Sequence, residues 1–149
     1  MSLVNIRIER FPYEEPHHLN LKITAANDDF VGKLEYYCNA DDLKEIGTKL
    51  KGFPRTVPDE YVYEIGSEKP EDRFAFFLKI RVFTVDGLGH CAIAVAFNNN
   101  QSDQNSASSR FAMKADPQAV NRLGDLFMTF SELKSTELVW STNGDGEVR

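Results

Sequence analysis

The chain has 149 residues, 42% of them hydrophobic, with 11 Phe, 5 Tyr and 1 Trp; that is the length of one domain, with enough large side chains for a core that needs no staples. Its net charge is −6, and residues 1–75 hold 15 Asp and Glu against 10 Lys and Arg, while residues 76–149 hold 8 against 7. This acidity argues against phosphate-backbone binding, which needs a basic face, and suits a basic protein partner; no run of about 18 apolar residues is present to span a membrane.

Val4, Ile6 and Ile8 alternate with Asn5, Arg7 and Glu9, which predicts a half-buried strand ended by Phe11-Pro12. Leu19, Leu21 and Ile23 alternate with Asn20, Lys22 and Thr24 in a second strand, and Asn27-Asp28-Asp29 reads as a turn. Leu34, Tyr36 and Cys38 then face away from Lys33 and Glu35, closing a hairpin. Asp42 with Glu45 fits a capping box, with Asp41 as the alternative cap. Leu43, Ile46 and Leu50 follow at helical spacing until Gly52 and Pro54 end the helix. Residues 54–60 form a proline-containing loop, Tyr61, Tyr63 and Ile65 a short strand, and residues 66–72 a polar loop.

The longest strand is expected over residues 73–85. Phe74, Phe76, Leu78, Ile80 and Val82 line one face, and Phe77, Lys79, Arg81 and Phe83 the other. Asp86-Gly87 is a hairpin signal. The returning strand, residues 91–97, is apolar on both sides. Cys91, Ile93, Val95 and Phe97 make a bulky face, while Ala92, Ala94 and Ala96 make a flat one that would let a helix or another layer approach. Residues 98–109, rich in amides and serines, read as a mobile loop, because such a segment cannot offset its ordering entropy by burial. Phe111 and Met113 mark another strand. Asp116 caps a second helix with Pro117 at its first position, and Val120, Leu123, Phe127 and Phe130 form its buried stripe. Leu138 and Trp140 form a last short strand or a docked tail.

These elements predict an α+β fold, mainly an antiparallel sheet of about six to eight strands with two helices packed on one face. The domain is expected over residues 1–140, with residues 141–149 a disordered tail. The chain also suggests two duplicated halves, each β-rich and ending in a helix: Ala40-Asp41 and Ala115-Asp116 precede helices that carry Gly47 and Gly124 in their interiors. The competing reading is that any amphipathic helix after a strand looks alike. An interior helical glycine costs about 1 kcal/mol against alanine, so each would serve close approach to the sheet or to the other helix.

Signs of chemistry are few. His17 and His18 are adjacent, so on extended backbone they point to opposite faces and cannot readily chelate one ion. Cys38 and Cys91 lack CxxC spacing and fall inside apolar strands, as small buried hydrophobes do. Asp28-Asp29, Asp41-Asp42 and Asp59-Glu60 fall in turns or caps where carboxylates are usual. There is no P-loop and no GxGxxG. A conventional enzyme is disfavoured, and no cofactor and no metal are expected. Tyr37, Phe77 and Phe83, near Lys79 and Arg81, fall on the polar-leaning faces of their strands, a composition found at binding interfaces. Met1-Ser2-Leu3 reads in part as a cloning remnant, and with no secretory signal apparent the expected compartment is cytoplasmic.

The hairpin, the first helix, the strands containing CAIAVAF and RFAMKAD and the helix ending in FMTF give a layout over residues 19–133. It resembles that of small bacterial immunity proteins of polymorphic-toxin systems and of neighbouring uncharacterised bacterial families. The resemblance implies a non-enzymatic protein that neutralises a cognate toxin, and an acidic surface would fit a basic one. The expected partner-binding residues are Tyr37, Phe77, Lys79, Arg81 and Phe83 together with Asp41, Asp42, Asp59 and Glu60. Two other readings stay open: a small-molecule binder or enzyme with a pocket between helices and sheet, and a homodimer or larger homo-oligomer built on the Phe77/Phe83 face.

Overall fold

A computed structural model describes residues 3–149; Met1 and Ser2, read as part of a cloning remnant, lie outside the described residues. Three strands open the chain: β1 (Ile6–Phe11), β2 (Leu19–Ala26) and β3 (Val31–Cys38). Helix α1 (Ala40–Lys51) follows. Then come β4 (Glu60–Gly66), β5 (Phe77–Thr84), β6 (Cys91–Asn98) and β7 (Ser108–Ala115), helix α2 (Pro117–Phe130), β8 (Glu137–Trp140) and β9 (Gly146–Val148). In β2 and β3 the apolar residues read at period two are buried, and the polar ones between them reach solvent.

The fold is α+β and every strand pair is antiparallel, but the strands divide between two sheets in place of the single one expected. The first has the order β3-β2-β1-β8-β9 and the second β4-β5-β6-β7. Edges β3 and β7 meet through side chains. Asn27 Nδ2 donates to the Ala112 carbonyl at 2.9 Å, and the Phe30 and Phe111 rings stack at 6.3 Å. A Cβ on Gly32 would fall 2.2 Å from Ser109 Oγ and 3.1 Å from Phe97 Cδ2, so a larger residue here would make the Ser109 side chain move. One hydrophobic cluster takes in the inward faces of both sheets and both helices.

The helices cross at their glycines. A Cβ on Gly124 would lie 2.6 Å from Lys51 N and 3.0 Å from Gly47 O; one on Gly47 would lie 2.9 Å from Gly124 O. The glycines therefore serve helix-to-helix approach. The α1 cap is Asn39, whose Oδ1 accepts from Asp42 N at 3.1 Å, in place of Asp41 or Asp42. Both aspartates instead occupy the first turn, where negative charge meets the positive end of the helix dipole. Asp116 does cap α2, without a side-chain bond.

Three further expectations are corrected. The flat Ala92, Ala94 and Ala96 face admits no helix, because the bulky Cys91, Ile93, Val95 and Phe97 face points into the core with the helices. Strand β5 starts at Phe77 rather than at residue 73: a 3-10 turn over Pro70–Asp72 ends with Arg73 in the left-handed region, leaving Phe74 exposed. Residues 141–149, expected as a disordered tail, turn at Ser141 and Gly144 and return as β9 on β8. Arg149 exchanges backbone hydrogen bonds with Glu137 at 2.8 and 2.9 Å, and Val148 packs against the core. Polar, glycine-rich composition resembles disorder, yet Gly146 is what lets the chain pass within 2.7 Å, measured from a built Cβ, of Val139 O. A chain ending at Asp145 is expected to lose about 2 kcal/mol of stability. Urea unfolding followed by Trp140 fluorescence measures it; an unchanged midpoint would mean that β9 contributes nothing.

Candidate partner-binding edge

The two sheets have four lateral edges. Those of β3 and β7 block each other, and β9 is 3 residues long. The 7-residue β4 is the long open edge. Its register fixes which backbone groups are free. Thr84 N donates to Asp59 O at 3.1 Å, and antiparallel pairs alternate, so Tyr61, Tyr63 and Ile65 turn their N–H and C=O toward β5. Glu60, Val62 and Glu64 turn theirs outward. The Glu60 N–H is already taken by Asp59 Oδ1 at 2.9 Å, which leaves Val62 and Glu64 with unpaired donors and acceptors.

Carboxylates border this edge on both sides. Outside the sheet, Glu60 and Glu64 flank Val62, which is 39% exposed. On the helix side, Asp42 Oδ2 accepts from the Tyr63 hydroxyl at 2.8 Å. Burial, reinforced by neighbouring Tyr36, Cys38 and Asp42, pushes the Tyr63 pKa up, so its proton stays in place for that bond. The Tyr61 hydroxyl lies in the interior of this edge beside Glu45, and burial followed by the Glu45 charge pushes its pKa up. Asp59 is held as a carboxylate, its pKa lowered chiefly by the Arg55 N–H, which donates to Oδ2 at 2.8 Å.

Of the residues expected to bind a partner, Asp42, Asp59 and Glu60 gather at this edge, with Asp41 in the exposed first turn of α1. Arg81 and Lys79 sit one strand in, paired in register with Val62 and Glu64; Arg81 Nε donates to Glu60 Oε2 and its guanidinium stacks 3.9 Å from the Phe83 ring centroid. Phe77 is no exposed aromatic: it is 6% accessible, with the Arg110 guanidinium 5.9 Å from its ring. Long cationic side chains cover apolar surface in this way, which the strand pattern alone does not show. Tyr37 lies elsewhere, on β3 against Tyr13 at 5.6 Å. Glu45 and Tyr61 enter the sequence reading only as a cap and a strand residue, and Val62 and Glu64 not at all, although the E-x-V-x-E alternation of residues 60–64 is legible there.

Cys38 is buried, its thiol pKa pushed up to about 12 by burial and then by Asp42. Cys91 is buried and donates to Gly89 O at 3.3 Å, and burial raises its pKa also. His90 Nδ1 pairs with Asp86 Oδ2 at 2.6 Å, an exposed bond that raises the His90 pKa and lowers that of Asp86. Both residues line a cavity of about 580 Å³ at one end of the second sheet. Among the described residues no group of three or more His, Cys, Asp or Glu could hold a metal ion, and no helix is long and apolar enough to cross a membrane. No protein-family model matches the chain, and neither curated proteins nor solved structures offer a significant match.

Proposed function

We propose that this chain is a protein-binding module that takes up a basic extended segment of its partner along the free edge of β4. The observation that carries the reading is the pair of unpaired backbone positions, Val62 and Glu64, bordered by Glu60 and Glu64 on one side and Asp42 and Glu45 on the other. Strand addition supplies affinity through main-chain hydrogen bonds, and the alternate side chains supply specificity. Opposite charges directly across an antiparallel pair stabilise it, so a lysine or arginine facing Glu64 fits, while Glu60 already pairs with Arg81. A second copy fits less well: antiparallel self-pairing centred on Val62 would set Glu60 against Glu64. Neutralisation of a basic toxin, as in the immunity proteins that the sequence resembles, is the sharpest form of this reading. The two strand-and-helix halves, with Gly47 and Gly124 at the crossing, support a duplicated origin.

The test uses proline as an edge block. Val62→Pro removes an N–H that points away from β5, a position where edge strands tolerate proline. Its stability is expected to stay within about 1 kcal/mol of the parent. Wild-type bait should capture a basic partner at low salt and lose most of it at high salt. Val62→Pro and the double variant Glu60→Lys/Glu64→Lys should each fail to retain it. A partner held equally by all three baits would remove the β4 edge from the interaction.

A further inference from the structure

At the end of the second sheet opposite His90, the β4–β5 and β6–β7 loops enclose a cavity of about 600 Å³. It lies on residues separate from the β4 partner edge, and its volume is in the range of small-molecule sites. The loops are tied together by amides. Asn100 Nδ2 donates to Ser67 O at 2.7 Å and to Phe74 O at 3.0 Å. Asn98 Nδ2 donates to Glu68 Oε2 at 2.9 Å, and Arg110 pairs with the other oxygen of the same carboxylate. The loop expected from its composition to be mobile is thus anchored, because its amides bond to backbone and to Glu68.

The charge balance inside the cavity follows from these bonds. Glu68 is the acidic residue in its lining, and that carboxylate is already engaged by Asn98 and Arg110, which lower its pKa. Lys69 and Arg73 also line the cavity, and neither ammonium nor guanidinium has a partner among the described residues. The unmatched charge is therefore positive, although the protein as a whole carries −6. Beside them Phe74, 51% exposed, presents a ring, and Ser102 and Ser106 add hydroxyls. Arg73 at φ 56, Asn100 at φ 53 and Asp103 at φ 50 all lie in these two loops, in a region that L side chains rarely adopt and that clusters at ligand clamps.

We infer that this cavity is a binding site for a small oxyanion, a carboxylate or a phosphate ester, held by the Arg73 fork and the Lys69 ammonium, with Phe74 against its apolar part. Guanidinium groups favour both anions because two parallel N–H donors match two oxygens.

Amide-resonance titrations of the full chain with inorganic phosphate and with benzoate test the site. At least one probe should give saturable shifts confined to residues 67–76 and 98–107. Arg73→Asn, which keeps a residue tolerant of left-handed backbone, and Lys69→Gln should each weaken binding by about tenfold, the scale of one charge-assisted hydrogen bond, at unchanged melting temperature. Benzoate binding that also weakens in Phe74→Ala supports the carboxylate, and phosphate binding indifferent to Phe74 supports the phosphate ester. Shifts that never saturate with either probe, or binding unchanged in both charge variants, would overturn the assignment. Neither result bears on the β4 edge, since Val62→Pro leaves these loops intact.

Discussion

Gly124→Ala should destabilise the protein by about 3 kcal/mol, although alanine is the better helix former by about 1 kcal/mol. Every atom that the new Cβ would meet is backbone: Lys51 N at 2.6 Å, the Leu50 carbonyl carbon at 2.8 Å and Gly47 O at 3.0 Å. Backbone in the last turn of α1 cannot rotate aside as a side chain can, so the helices must separate, and with them the layer that covers both sheets. Gly47→Ala should cost a comparable amount, because its Cβ would meet the Gly124 O and Met128 N backbone atoms at 2.9 Å as well as Met128 Cγ at 2.8 Å. The two changes act on one contact, so the double variant should cost less than their sum. Thermal unfolding checks this: Gly124→Ala should melt about 6–12 °C lower, and Gly87→Ala, where a Cβ meets nothing within 4 Å, should melt with the parent. A stabilised Gly124→Ala would mean that the helices do not cross at these glycines.

The second large effect belongs to Trp140. It is wholly buried in β8 between β1 and β9, and its indole Nε1 donates to the Ala119 carbonyl in α2 at 2.9 Å. One side chain therefore fills the space under the first sheet and ties that sheet to the second helix. Trp140→Ala should cost about 4 kcal/mol through lost apolar contact and the cavity left behind. Trp140→Phe keeps most of the volume but loses the hydrogen bond, and should cost about 1–2 kcal/mol. Urea denaturation followed by far-ultraviolet circular dichroism measures both without relying on the fluorophore. Equal costs would place the energy in the hydrogen bond rather than in packing.

The acidic edge and the basic cavity show why net charge is a weak guide to a surface. The sequence total of −6 points to a basic partner, and Asp42, Asp59 and Glu60 do collect along β4. The same chain places Lys69 and Arg73 around a cavity whose acid is already bonded. Proximity decides sign locally, and proximity comes from register and loop geometry.

Much of the secondary structure was legible from local rules. Period-two alternation in β2 and β3, the helical stripes Leu43/Ile46/Leu50 and Val120/Leu123/Phe127/Phe130, and Pro117 at the start of α2 each follow from which face an element must bury. The helical glycines could be read as a sign of close approach, since nothing local rewards them. Only the tertiary structure decided what they approach, because helix crossing depends on residues 77 positions apart (124 − 47). It also decided that the strands form two sheets, that the alanine face of β6 points outward, and that Arg110 covers Phe77. Alternation says that two faces differ but not which one a distant helix will cover. Composition took the last nine residues for disorder, because a strand made of polar residues and glycine is stable only beside the neighbour that completes it, here β8 with Val139 and Trp140.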